Sequence, residues 1–249
     1  MQVVVDSLLT QYERAGKGKV VLILHGWGDN SKGWQEFQEL INKDYDVIVL
    51  DLPGFGGTDA PTQTWGLDEY AAFVSAFLKK IRVKSEAIIA HSNGGAIAIR
   101  GLAQGKLQAK SLVLLDSAGI RTYHKGRNRV IRMLTKTGKL VTMPLPASFK
   151  NRLRRKVYKT VGSDMLVVES LQETFKRVVT DDIQSDAAAL NLPVLIIYGE
   201  EDTATPLQYG QILHNLISGS TLEVVPGAGH FVHLDEPRVV ANNIRGFLK

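Results

Sequence analysis

The chain has 249 residues, 44% of them apolar and 22% charged, enough for one sizeable domain with a buried core. Cysteine is absent, which excludes disulfides, a thiol nucleophile and cysteine-ligated zinc. The net charge is +5, but thirteen Lys and Arg without one acid fall between Arg121 and Lys159, leaving the rest of the chain at −8. The first residues lack a basic region followed by an apolar run, and no apolar run approaches the ~18 residues of a membrane span, so a soluble cytoplasmic protein is expected.

Short apolar runs alternate with helical patterns. "VVLILHG" (Val20 to Gly26), "YDVIVLDLPG" (Tyr45 to Gly54), "AIIAHS" (Ala87 to Ser92), "SLVLLDS" (Ser111 to Ser117), "PVLIIYG" (Pro193 to Gly199) and "TLEVVPG" (Thr221 to Gly227) read as strands buried on both faces. "GLDEYAAFVSAFLKKI" carries a helical stripe at Leu67, Tyr70, Ala71, Val74, Phe77, Leu78 and Ile81. "NGGAIAIRGLAQ", "PLQYGQILHNLI" and "EPRVVANNIRGFLK" also read as helices, two with proline near the first turn. This order predicts an α/β fold with a mainly parallel, doubly wound sheet. From about Ile120 to Leu190 the alternation breaks into helical patterns, punctuated by "MPLPAS". Residues 1–120 and 187–249 are therefore expected to form the core, and residues 121–186 a basic helical insertion.

In "AIIAHSNGGAIAIR" a serine lies between a buried strand and a helix. Gly94 and Gly95 permit a tight turn there, and the helix N-terminus presents N–H groups and partial positive charge. Such a bend exposes the Ser92 hydroxyl and sets the Asn93 N–H beside it as an oxyanion donor. The Gly-x-Ser-x-Gly pattern is met except at Ala90, the smallest replacement for glycine. The alternative reading of this stretch alone is an ordinary N-cap serine, which the elbow pattern outweighs. "LHGWGDN" offers the Trp27 N–H as a second donor, or else a glycine-rich turn with a structural His25. "IIYGEEDTATP" offers Asp202 to orient an imidazole, or else an N-cap for the next helix. "VVPGAGHFVHLDEP" offers His230 as a base, or else a surface histidine. The order Ser92, Asp202, His230, each after a separate strand, is that of a hydrolase triad and favours the functional readings together.

"HGWG", "DLPGFGGTD", "AHSNGG", "GEEDTATP" and "GAGHFVHLDEP" together resemble the α/β-hydrolase superfamily, close to its carboxylesterase and meta-cleavage-product-hydrolase branch with a helical cap. The resemblance covers nearly the whole chain. It implies an α/β-hydrolase fold, Ser92 as nucleophile, His230 as base, Asp202 as orienting acid, Trp27 and Asn93 as backbone oxyanion donors, and the basic insertion as a cap. It implies no metal and no organic cofactor.

Asp116 also ends a strand and is the alternative acid; the "TP" after Asp202 favours Asp202. His233 is expected to pack at the start of the last helix, His91 to be structural, and Asp51, Gly54 and Gly56 to shape the loop beside the cleft. The expected reaction is hydrolysis of a small or medium carboxylic ester through an acyl-enzyme. Rival readings are C–C bond hydrolysis of a meta-cleavage-type diketone, a cofactor-free oxygenase, and a binding protein on a hydrolase scaffold, the last disfavoured by the complete triad. The basic segment is a solvated face, an attraction for anionic surfaces, or a steering field for an anionic substrate. With few aromatics there and no recognisable motif, nucleic-acid binding is not expected. The sequence leaves the oligomeric state open.

Overall fold

The computed structural model describes residues 1–121 and 171–249. Its eight strands form one sheet: β1 (Gln2–Val5), β2 (Leu8–Ala15), β3 (Val20–Leu24), β4 (Asp46–Leu50), β5 (Ala87–His91), β6 (Ser111–Leu115), β7 (Val194–Gly199) and β8 (Thr221–Val225). Their order is β1-β2-β4-β3-β5-β6-β7-β8. Pairing is antiparallel from β1 to β2 and from β2 to β4, and parallel everywhere else.

The six strands expected from apolar runs are all present. The antiparallel pair β1 and β2 lies outside that expectation, because "QVVV" and "LLTQYERA" leave half their side chains in water. β8 departs from the expectation of two buried faces. It closes the sheet at one edge, and Glu223 and Val224 on it are exposed.

The described helices are α1 (Gln35–Ile41), α2 (Leu67–Lys80), α3 (Asn93–Ala103), α4 (Gln172–Thr180), α5 (Gln184–Ala188), α6 (Leu207–Leu216), α7 (Val232–Asp235) and α8 (Pro237–Phe247). At the start of α2 the Glu69 carboxylate accepts the Gly66 N–H at 2.7 Å. The predicted stripe of this helix is buried as far as Leu78, joined by Phe73, while Ile81 is only partly covered. α2 and α3 bury their apolar faces on one side of the sheet and α1 and α8 on the other, giving two cores divided by the strands. Alternate residues of each central strand serve the two cores. Leu22 and Leu24 face one, Val21 and Ile23 the other.

The expected basic cap falls largely at residues 122–170, outside the described residues. Its far end, α4 and α5, is knit to the core. Thr174 Oγ1 accepts the Trp65 N–H at 3.0 Å, Asp181 Oδ2 accepts the Leu67 N–H at 3.3 Å, and Arg177 pairs with Glu69 at 3.1 Å. Arg100, on α3, pairs with Asp186 at 2.6 Å and with Asp68 on α2 at 2.8 Å. Among the described residues no helix is long and apolar enough to cross a membrane.

Candidate active site

The parallel strands end on one side of the sheet, and the loops after β3, β5, β6, β7 and β8 gather there. Ser92 follows β5 directly, with φ 50° and ψ −117°, a backbone conformation unusual for any residue but glycine. Neighbouring bonds hold it. Its N–H donates to the Leu115 carbonyl at 3.0 Å, and its carbonyl accepts from Gly95 at 3.0 Å and Ala118 at 2.9 Å. Strain of this kind persists only where the surroundings over-determine it. Gly94 is required by close approach, since a Cβ there would lie 2.3 Å from the Leu24 carbonyl oxygen. At Ala90, the departure from the glycine pattern, the methyl group is wholly buried in the core.

His230, in the loop after β8, bridges two side chains. Its Nε2 lies 3.1 Å from Ser92 Oγ and its Nδ1 lies 2.9 Å from Asp202 Oδ2. The Asp202 side chain is fully buried, while that of His230 keeps 19% exposure. With the Nδ1 proton donated to the carboxylate, Nε2 is left as an acceptor facing the hydroxyl. Asp202 is not the N-cap of the next helix, which starts from Pro206 with no side-chain cap. Its Oδ1 accepts the N–H groups of Ala204 at 2.7 Å and Thr205 at 3.0 Å, shaping the turn before α6, and its Oδ2 faces the imidazole.

Thr205, the threonine of the "TP" that favours Asp202, joins the site without itself being an expected site residue. Its hydroxyl lies 2.6 Å from Asp202 Oδ2, 2.9 Å from the Asp116 carbonyl and 3.1 Å from His230 Nδ1. Its only signal in the sequence is a hydroxyl three residues after an aspartate ahead of a proline, which reads as ordinary turn chemistry.

Asp116 does not meet the imidazole. It too is left-handed, at φ 45°, and its carboxylate accepts the Gly199 N–H at 2.8 Å and the Val232 N–H at 3.1 Å. Burial, followed by the nearby Asp202 charge, pushes this carboxyl up to about 8 against the pull of the two donors.

Around β3, His25 is wholly buried. Its Nε2 accepts the Leu52 N–H at 2.9 Å, which assigns the proton to the Nδ1 that faces the Gly26 carbonyl at 2.7 Å. Gly26 sits so near the serine that an added Cβ would lie 3.1 Å from Ser92 Cβ. The Trp27 ring packs edge-on to Phe55 at 4.9 Å and tilted to Phe175 of α4 at 5.1 Å. Asn93 opens α3, where a backbone N–H has no intrahelical acceptor.

Three further polar side chains around the site brace its frame. Asp51 accepts the N–H groups of Ser31 at 2.6 Å and Gly57 at 2.8 Å, holding the loop after β4. His233 lies in α7, just ahead of the last helix, fully buried and stacked on Trp34 at 3.9 Å; burial holds its ring down to about 3. His91 is buried beneath the site, with Nε2 at 2.7 Å from the His230 carbonyl. Burial, then the neighbouring histidines, hold it well below the usual imidazole range. Among the described residues no group of three or more His, Asp or Glu is placed to hold a metal ion.

Residues 19–237 match the alpha/beta hydrolase fold family. An uncharacterized protein of Mycobacterium tuberculosis is 27% identical, over 94% of this chain and 76% of its own. A 2-hydroxy-6-oxo-6-(2'-aminophenyl)hexa-2,4-dienoic acid hydrolase of Metapseudomonas resinovorans is 23% identical, over 96% and 87%. The solved structure of an esterase from Exiguobacterium antarcticum superposes with a TM-score of 0.83 at 19% identity, covering 99% of this chain and 98% of that one. With a match spanning most of its length, the chain belongs to the α/β-hydrolase fold family and is a hydrolase of that family.

Proposed function

We propose that the protein hydrolyses a small or medium carboxylic ester through an acyl-enzyme. The observation that carries this reading is the bridge made by His230, 3.1 Å from the hydroxyl of a strained Ser92 and 2.9 Å from a buried Asp202. His230 Nε2 takes the Ser92 proton as Oγ attacks the ester carbonyl. The oxyanion is held by the N–H groups of Trp27 and Asn93. The tetrahedral adduct collapses, the alkoxide leaves with the proton from His230, and the acyl group stays on Ser92. Water, deprotonated by the same imidazole, then releases the acid. Asp202 keeps the Nδ1 proton in place and stabilises the imidazolium that forms.

The test is a panel of p-nitrophenyl esters of increasing acyl length, run beside a ring-cleavage diketone. Ester turnover and covalent labelling by a fluorophosphonate, both lost in Ser92→Ala, are the expected results. Turnover of the diketone with none of any ester would overturn ester hydrolysis in favour of C–C bond cleavage.

Residues 121–186 are proposed as a cap over this site, with the thirteen cations between Arg121 and Lys159 drawing in a substrate that carries a carboxylate or phosphate. Long-range attraction is screened as the Debye length shrinks to about 3 Å near 1 M salt. For an anionic ester kcat/KM should fall with NaCl while kcat holds, and a neutral ester of equal size should show no slope. Equal slopes would leave the charge as a solvated face, and sedimentation with anionic vesicles would then test surface attraction.

A further inference from the structure

Two buried side chains outside the triad grip the backbone on either side of His230. His91 immediately precedes Ser92, on β5, and its Nε2 lies 2.7 Å from the His230 carbonyl. A carbonyl only accepts, so this nitrogen carries the proton. Asp116 follows β6, and its Oδ2 accepts the N–H of Val232 at 3.1 Å, two residues beyond His230. Its Oδ1 accepts the N–H of Gly199 at 2.8 Å, three residues before Asp202. Its own carbonyl accepts the Thr205 hydroxyl, which touches both Asp202 and His230. One residue thus ties together the loops that carry the acid and the base.

These contacts have the marks of a function beyond packing. Asp116 adopts a left-handed backbone, φ 45°, on a non-glycine residue that is fully buried. His91 keeps an imidazole in an aromatic nest of Trp34, Phe231 and His233, although its Nδ1 is buried with no hydrogen-bond partner. An apolar side chain would fill that nest without desolvating a nitrogen. What the imidazole adds is one donor aimed at the backbone of His230.

We propose that His91 and Asp116 are a two-point clamp of positioning residues, which fixes the His230 loop so that its imidazole spans Ser92 and Asp202. The proposal rests on the triad reading above. The His91 ring also packs against that of His230, with centroids 4.9 Å apart, but its hydrogen bond goes to the His230 backbone and those of the Asp116 carboxyl go to the Gly199 and Val232 backbone. Each acts by holding the base within the narrow range in which a hydroxyl and a carboxylate are both in reach. A displacement of about 1 Å at such a centre costs on the order of a hundredfold in rate.

The test separates position from stability. In His91→Leu the donor is gone and an unpaired buried nitrogen goes with it. Its melting temperature should equal or exceed wild type while kcat falls about ten- to a hundredfold, with KM nearly unchanged. His91→Gln, which keeps a side-chain N–H, should recover most of that loss. Asp116→Asn presents either an N–H or a single carbonyl to two backbone donors, and should also lower kcat more than it raises KM. A folded His91→Leu with kcat within twofold of wild type, in a protein that Ser92→Ala inactivates, would overturn the clamp and leave the triad standing. Equal losses in His91→Leu and His91→Gln would overturn it as well. Full turnover in Ser92→Ala would instead remove the triad reading beneath it. Should Asp116→Asn fail to fold, the two His91 variants decide.

Discussion

Asp116 and Asp202 end neighbouring parallel strands, lie on the same side of the sheet and are both buried, yet they face different partners. Asp202 gives one oxygen to the turn before α6 and the other to His230 and Thr205. Asp116 gives both oxygens to backbone N–H groups, one at the end of β7 and one at the start of α7, just beyond His230. The carboxylate that meets a side chain able to move a proton can orient and stabilise a base. The one that meets only peptide groups can fix where that base sits. Strand position makes an acid available in both cases, and the partner decides its use.

The strongest way to break this comparison is to remove what the imidazole serves. Ser92→Ala should fold normally and lose about 10⁴-fold or more in kcat, with no fluorophosphonate labelling. Esterase activity within tenfold of wild type would sink the whole assignment. Next comes the contrast itself. Asp202→Asn should cost up to about 10⁴ in kcat, through loss of the correct tautomer and of the negative charge that stabilises the imidazolium. Asp116→Asn should cost at most about a hundredfold. The opposite ranking in kcat would move the acid to the end of β6.

Thr205→Val sharpens the comparison, because its hydroxyl joins the Asp202 carboxylate to the Asp116 carbonyl. A hydrogen bond to a charged group is worth about 1.5–3 kcal/mol, so kcat should drop about ten- to a hundredfold, well short of Asp202→Asn. Activity unchanged from wild type would make the hydroxyl dispensable.

The last prediction concerns stability rather than turnover. Burial raises the Asp116 carboxyl from an ordinary 3.8 to about 8, so the folded state holds a proton that the unfolded chain releases. The stability this contributes is complete below pH 4 and is lost as pH climbs to about 8, at about 1.4 kcal/mol per pH unit. His233 works the other way. Its ring, lowered from 6.5 to about 3, leaves the unfolded chain to bind the proton first, so stability falls as pH drops through that window. His233 and the similarly lowered His91 are common to wild type and Asp116→Asn, so the difference between the two reads Asp116. Urea titrations between pH 5 and 8 should show Asp116→Asn gaining on wild type as pH rises. Parallel curves would mean that the Asp116 carboxyl does not titrate in that range.

Some of this is legible in residue order, and for plain reasons. Apolar runs such as "VVLIL" and "AIIAH" read as buried parallel strands because both their faces are covered. β1 and β2 escape because their half-exposed pattern lacks that signal, and α1 because seven residues scarcely show a period. Ser92, Asp202 and His230 can be named from glycine-rich bends and chain order. Thr205 cannot, since a turn hydroxyl gains meaning only from what folds against it.

The sequence by itself determined the strand order along the chain, the bend at Ser92 and the candidates for acid and base, because each is a local pattern of sterics and hydrophobicity. Only the tertiary structure decided which aspartate meets the imidazole, and that the neighbour of Ser92 in sequence holds the carbonyl of His230, 139 residues away. Those choices depend on which loops lie side by side at the ends of β5, β6, β7 and β8, and on which buried donors are left needing an acceptor there. Adjacency of that kind is set by how the sheet is wound, and no spacing within a single stretch of chain encodes it.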